Sequence, residues 1–213
     1  ASLLTLFAGC ATGIGSVIAF FAKKTNAKFL SFSLGLSAGV MIYISFVELL
    51  FSARIGLEEI TGSGKQASLI AAAAFFGGIL LAGLIDKLIP EAENPHELHS
   101  VEEMDGKPNP HHLKKLKRTG LVTAIAIAVH NFPEGIATFV SGLGEPQVGI
   151  AIAVAVAIHN IPEGIAVSVP MYFATGSRKK AFWYSFASGL AEPLGALFAY
   201  LILMPFLTPI VME

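Results

Sequence analysis

Two six-residue segments hold the side chains best able to do chemistry: His130-Asn131-Phe132-Pro133-Glu134-Gly135 and His159-Asn160-Ile161-Pro162-Glu163-Gly164. Residues four apart on a helix share a face, so His130 lies over Glu134 and His159 over Glu163, with Asn131 and Asn160 flanking that face. Two imidazoles, two carboxylates and two amides aimed at one point make a mixed nitrogen and oxygen donor set suited to borderline divalent cations such as Zn²⁺, Fe²⁺ or Mn²⁺. These donors bind metal only when deprotonated, so protonating either histidine would weaken the site. A blander reading is that each His merely satisfies its own Glu. Two copies at one depth count against it, because duplicated carboxylates in an apolar setting need a counter-charge and no nearby Lys or Arg supplies one.

The elements that must hold these residues are helices. Each hexapeptide sits inside a run of apolar and small residues about long enough to cross a bilayer, where ionisable groups are expensive and functional by default. Ala-Ile-Ala-Ile-Ala-Val precedes the first copy and Ala-Val-Ala-Val-Ala-Ile the second. Proline in each motif cannot donate to the carbonyl four residues back, which frees the Val129 and Ile158 carbonyls and predicts a kink. The glycine after each Glu predicts a close backbone approach.

With 54% hydrophobic and 14% charged residues in 213, the chain is too apolar for a soluble domain of this size. The expected class is all-α: a polytopic transmembrane helix bundle forming a single domain over 1–213, with the lipid bilayer as its partner. Spans are read at Leu3–Ala22, Phe29–Phe51, Ala67 to Leu84 or Ile89, Leu121–Leu143, Val148–Tyr172 and Ala181–Met204. The first lacks the basic start and short cleavable core of a signal peptide and is expected to remain as an anchor. Arg54–Lys65 reads as a polar loop, and the glycines of the third span as a packing face.

Residues 91–118 turn charged and rich in Pro and His, which reads as a mobile loop. Its His96, His99, His111 and His112 are candidates for loose metal binding, against the commoner reading of solvated loop histidines. Met41, Ser45 and Glu48 fall near one face of the second span, where Met41 by itself suits core packing and Glu48 a solvated helix end. Glu192 beside Pro193 is another buried acid, open to a metal role or a capping role.

Net charge is −1 and the basic residues are grouped in loops, so no nucleic-acid partner is expected. Cys10 is the only cysteine, which excludes an intrachain disulfide and a cysteine-based zinc knuckle. One set of loops carries nearly all the Lys and Arg, and the other only Arg54 and Lys65. The positive-inside rule then places the His-bearing loop in the cytoplasm and the N-terminus outside.

The two H-N-x-P-E-G helices, the long His-containing loop before them and the segment Ser188-Gly189-Leu190-Ala191-Glu192-Pro193 together resemble the ZIP metal transporters, closest to their bacterial ZupT branch. The likeness extends over essentially the whole chain. It implies inward transport of Zn²⁺, and also of Fe²⁺, Mn²⁺ and Co²⁺, across a bacterial inner membrane, with the metal as cargo and no prosthetic group. It implies metal ligands at His130, Asn131, Glu134, His159, Asn160 and Glu163. Glu192 would complete a second, adjacent metal position, Met41 would contribute to the first, and Glu48 with Ser45 would lie on the pathway. The family pattern has eight spans against the six read here, so two more are expected beyond Glu213; a homodimer is one assembly left open.

Two other functions fit some of these residues. A metal-selective channel needs the same ring of carboxylates. An intramembrane metalloenzyme fits less well, since zinc proteases place Glu directly after the first His and a second His four residues on, and di-iron bundles use Glu-x-x-His.

Overall fold

In lipid every backbone amide must be satisfied within the protein, which leaves helices as the natural element for so apolar a chain. The computed structural model describes residues 1–21, 27–88, 110–144 and 146–204, and has no strand among the described residues. The helices are α1 Ser2–Phe21, α2 Ala27–Tyr43, α3 Leu50–Thr61, α4 Gly64–Leu88, α5 Pro110–Gly144, α6 Pro146–Thr175, α7 Arg178–Gly189 and α8 Ala191–Phe198. Wider π-helical turns at Ile44–Leu49 and Ala199–Leu203 link α2 to α3 and extend α8. Among the described residues six helical stretches, Ser2–Phe21, Ser31–Thr61, Gly64–Leu84, Leu116–Gly144, Pro146–Thr175 and Arg178–Leu203, are long and apolar enough to span a bilayer. The protein is an all-α, multi-pass membrane bundle, and large apolar side chains such as Leu3, Phe21 and Leu80 lie outward where lipid tails would meet them.

Several boundaries depart from the sequence reading. Arg54 to Thr61 is helix, because polarity marks where a span leaves the bilayer and not where its hydrogen-bond ladder stops. Arg54 pairs with Glu58 one turn on, and the helix ends only at Gly62, whose φ of 64° is left-handed and whose N–H caps the Glu58 carbonyl. The helix that holds the fourth span begins at Pro110, with its apolar stretch starting at Leu116 instead of Leu121, so residues 110–118 of the expected loop are helical. The sixth is broken at Leu190, which leaves Pro193 in the first turn of α8, where a missing N–H costs little. α5 and α6 run unbroken through Pro133 and Pro162.

α1, α5, α6, α7 and α8 form a tightly joined unit. A Cβ on Gly164 would overlap the Thr12 carbonyl oxygen of α1, and one on Gly135 would overlap the Glu192 carbonyl oxygen of α8. Ser185 ties three helices by donating to the Thr12 and Gly164 carbonyls at 3.3 and 3.2 Å. The glycines of α2 and α4 behave otherwise. Among the described residues no other element lies within 4 Å of where a Cβ on Gly35, Gly39, Gly77, Gly78 or Gly83 would stand, so none of them packs on the face expected of the third span. α2 touches the unit mainly along α6, and α3 packs on α4.

The helix ends sort by side. Gly120 of α5 meets Met171 of α6, and Phe20 of α1 meets the ring of Tyr172, so the start of α5 and the ends of α1 and α6 share one end of the bundle. Gly142 meets Ala1 and Leu4 at the other end.

Candidate metal centre

Antiparallel packing of α5 on α6 puts the two hexapeptides face to face at one depth. His130 Nε2 lies 3.4 Å from His159 Nε2. Each imidazole sits over the carboxylate one turn on in its own helix, at 3.3 Å for His130–Glu134 and 3.2 Å for His159–Glu163. Each also faces the other helix's acid, at 3.7 Å for His130–Glu163 and 3.9 Å for His159–Glu134. Ligand atoms of His130, His159 and Glu163 all fall within 4.8 Å of one another, a spacing that one cation could bridge.

Apart from those imidazole nitrogens, neither buried oxygen of Glu134 has a hydrogen-bond donor among the described residues. Acceptors left this way in a buried site are costly unless a cation or proton joins them. Asn131 is fully buried, and its amide is satisfied when the nitrogen faces the Ile127 carbonyl at 3.3 Å and Glu163 Oε2 at 3.1 Å.

Asn160 and Glu192 lie one layer away. Asn160 donates to the Ala8 carbonyl at 2.9 Å and to Glu192 Oε1, which joins α1, α6 and α8 in one buried node. Glu192 is fully buried in the first turn of α8, where the helix dipole favours an acid, and its Oε2 and Asn160 Oδ1 have no partner among the described residues. Glu192 stands outside the three-ligand cluster.

The second-span candidates separate. Ser37 of α2 contacts His159, and Met41 and Ser45 follow on that stripe at four-residue steps. Glu48 instead lines a groove between α2 and α6 with Tyr43, Ile44 and Ala151, and Met41 does not line it. The intervening π-turn, in which the Leu50 N–H reaches back to the Ser45 carbonyl, shifts the helical register that would have aligned Met41 with Glu48. Glu48 is eleven residues beyond Ser37, about 16 Å along the axis. His96 and His99 lie outside the described residues; His111 and His112 are on the first turn of α5, with their side chains outside the description. Sequence reasoning missed Ser37, since a lone serine in an apolar helix carries no motif.

The fold and this cluster define a polytopic membrane helix bundle with a conjoined His and Glu cluster between α5 and α6. The profile of the ZIP zinc transporter family matches residues 86–210. The zinc transporter ZupT of Oceanobacillus iheyensis is 65% identical over 207 residues, covering 97% of this chain and 77% of that protein. Those of Streptococcus mutans and Nitratidesulfovibrio vulgaris are 59% and 58% identical, covering 99% and 98% of this chain and 78% and 77% of theirs. The chain belongs to the ZIP zinc transporter family. Its class of activity is therefore metal transport and not catalysis, with the metal ion as substrate and not as a resident cofactor.

Proposed function

We propose that the protein carries Zn²⁺, together with Fe²⁺, Mn²⁺ and Co²⁺, into the cytoplasm across a bacterial inner membrane, through two adjacent cation positions between α5, α6 and α8. The observation that carries this reading is the four-way approach of His130, Glu134, His159 and Glu163, with no Lys or Arg paired to either acid among the described residues. A divalent ion would replace its hydration shell with these oxygens and nitrogens. The second position would use Glu192, Asn160 and Asn131, two of which hold unpartnered buried oxygens. Met41 would border the first position from α2, and Glu48 with Ser45 would line the approach.

The orientation rests on charge. Lys114, Lys117 and Arg118 of α5 and Arg178, Lys179 and Lys180 of α7 cluster at one end of the bundle, and Arg54 and Lys65 stand at the other. The positive-inside rule puts the first end, with the 91–118 segment, in the cytoplasm and the N-terminus outside. The chain acts as one transporter domain. Alternating exposure of the site would come from movement of the α1, α5–α8 unit against α2–α4. Backbone-tight glycine contacts hold the unit rigid, whereas α2 and α6 are parted by a groove at Gly35, Gly39, Ala151 and Ala155, where small residues offer little to interlock.

The test is zinc uptake into liposomes containing the purified protein, followed with a lumenal zinc indicator. Flux that saturates with zinc and shows counterflow supports the carrier. Flux that rises linearly to high rates would replace it with a channel, and its absence would reject both. Changing both histidines to glutamine should lower zinc affinity about a hundredfold while lowering manganese affinity much less, because imidazole favours zinc and oxygen donors favour manganese. Equal losses for the two ions would remove the histidines from the ligand set.

A further inference from the structure

We infer that Ser37 on α2 is a positioning residue for His159: its hydroxyl selects which ring nitrogen the histidine turns toward a bound cation. The inference rests on the reading of the cluster as a cation site. Ser37 is 5% exposed, and its Oγ lies 2.5 Å from His159 Nδ1. The opposite nitrogen, Nε2, faces Glu163, His130 and Glu134.

A neutral imidazole carries one proton and one lone pair. With the proton on Nδ1, that N–H donates to Ser37 Oγ and the Nε2 lone pair points into the cluster, ready for a metal ion. With the proton on Nε2, the hydroxyl would donate to Nδ1, and a cation would first have to displace the proton facing Glu163. An oxygen accepting from the far N–H also makes the ligating nitrogen more basic, which is the usual contribution of a group just behind a metal-binding histidine. Ser37 stands where that acceptor is needed.

The two histidines are not equivalent in this respect. The His130 side chain is 46% exposed, and no hydrogen bond to its Nδ1 occurs among the described residues. His159 is therefore the preset ligand and His130 the adaptable one. Of the residues lining the adjoining groove, only Tyr43 and Glu48 carry side chains that donate or accept, and they lie six and eleven residues beyond Ser37, whereas Gly35, Leu36, Gly39, Val40, Ala151 and Ala155 offer no substitute for its hydroxyl. Ser37 thus also gives α2 its polar tie to the site across an otherwise apolar contact.

The experiment compares wild type, Ser37→Ala, Ser37→Thr and Glu163→Gln in the full-length protein, using Zn²⁺ titration, the KM and maximal rate of zinc flux, and the ¹⁵N shifts of His159. Ser37→Ala should weaken Zn²⁺ binding about ten- to a hundredfold and raise KM in step, with the maximal rate changing far less. Ser37→Thr keeps the hydroxyl and should restore both. With Zn²⁺ bound, His159 should carry its proton on Nδ1, and the ¹⁵N shift of that N–H should mark a hydrogen bond in the wild type that is lost in Ser37→Ala. Wild-type Zn²⁺ affinity in Ser37→Ala, or an Nδ1–H of zinc-bound His159 whose shift Ser37→Ala leaves unchanged, overturns the assignment. If Glu163→Gln binds Zn²⁺ as tightly as wild type, the cation site itself is wrong. Loss in Glu163→Gln with no change in Ser37→Ala removes only the role of Ser37.

Discussion

Glu163→Gln should lower zinc transport about a hundredfold, with the protein still folded. Glutamine keeps the shape of the side chain and removes one negative charge from a cluster in which Glu163 meets both imidazoles at 3.2 and 3.7 Å. A unit charge about 4 Å away is worth about 4 kcal/mol at the effective dielectric of a protein site. Part of that returns when water reaches the ion, and a net loss of about 3 kcal/mol is close to a hundredfold in affinity. The same change at Glu48, about 16 Å along α2 from the level of the site, should cost only a few-fold. Flux of zinc into proteoliposomes checks both variants side by side. Wild-type flux in Glu163→Gln, or equal losses in the two, would dissociate the cluster from transport.

Gly164→Val should leave little folded protein. The added Cβ would overlap the Thr12 carbonyl oxygen, with the Thr12 carbonyl carbon at 2.8 Å and its Cα at 3.2 Å. These are backbone atoms and cannot swing aside, so α1 and α6 must separate. Separation also breaks the bonds by which Ser185 holds both the Thr12 and the Gly164 carbonyls. Overpacking and the lost buried bonds together cost on the order of 3 kcal/mol or more. Gly39→Ala is the control, since no described atom lies within 4 Å of its new methyl and alanine favours helix by about 1 kcal/mol. Thermal unfolding in detergent should show a large downward shift for Gly164→Val and none for Gly39→Ala. Matching midpoints would contradict the tight unit on which the site is mounted.

These two cases also mark what can be read from a sequence of this kind. The pairing of His130 with Glu134 and of His159 with Glu163 follows from helical spacing alone, because both partners lie within one turn of one element. The six spans follow from the length of apolar runs. Facts that depend on register between helices do not. Gly164 is pressed against α1 as its place after Glu163 predicts, yet the glycines of the third span, read in the same way as a packing face, meet no other described element within 4 Å at Gly77, Gly78 or Gly83. Likewise, nothing in the Ser37 neighbourhood announces His159, 122 residues away. The union of Asn160 with Glu192 and Ala8 depends on where three helices cross. Arg54–Thr61 was illegible for another reason: charge reports distance from lipid, whereas helix continuity is decided by caps such as Gly62.

Diffraction from zinc-loaded crystals on either side of the zinc absorption edge addresses the central point most directly. The account predicts an anomalous peak between α5 and α6, about 2.0–2.2 Å from imidazole nitrogen of His130 and His159 and from carboxylate oxygen of Glu134 or Glu163. Zinc found only elsewhere, for example at His111 and His112, with the four-residue cluster empty, would contradict it.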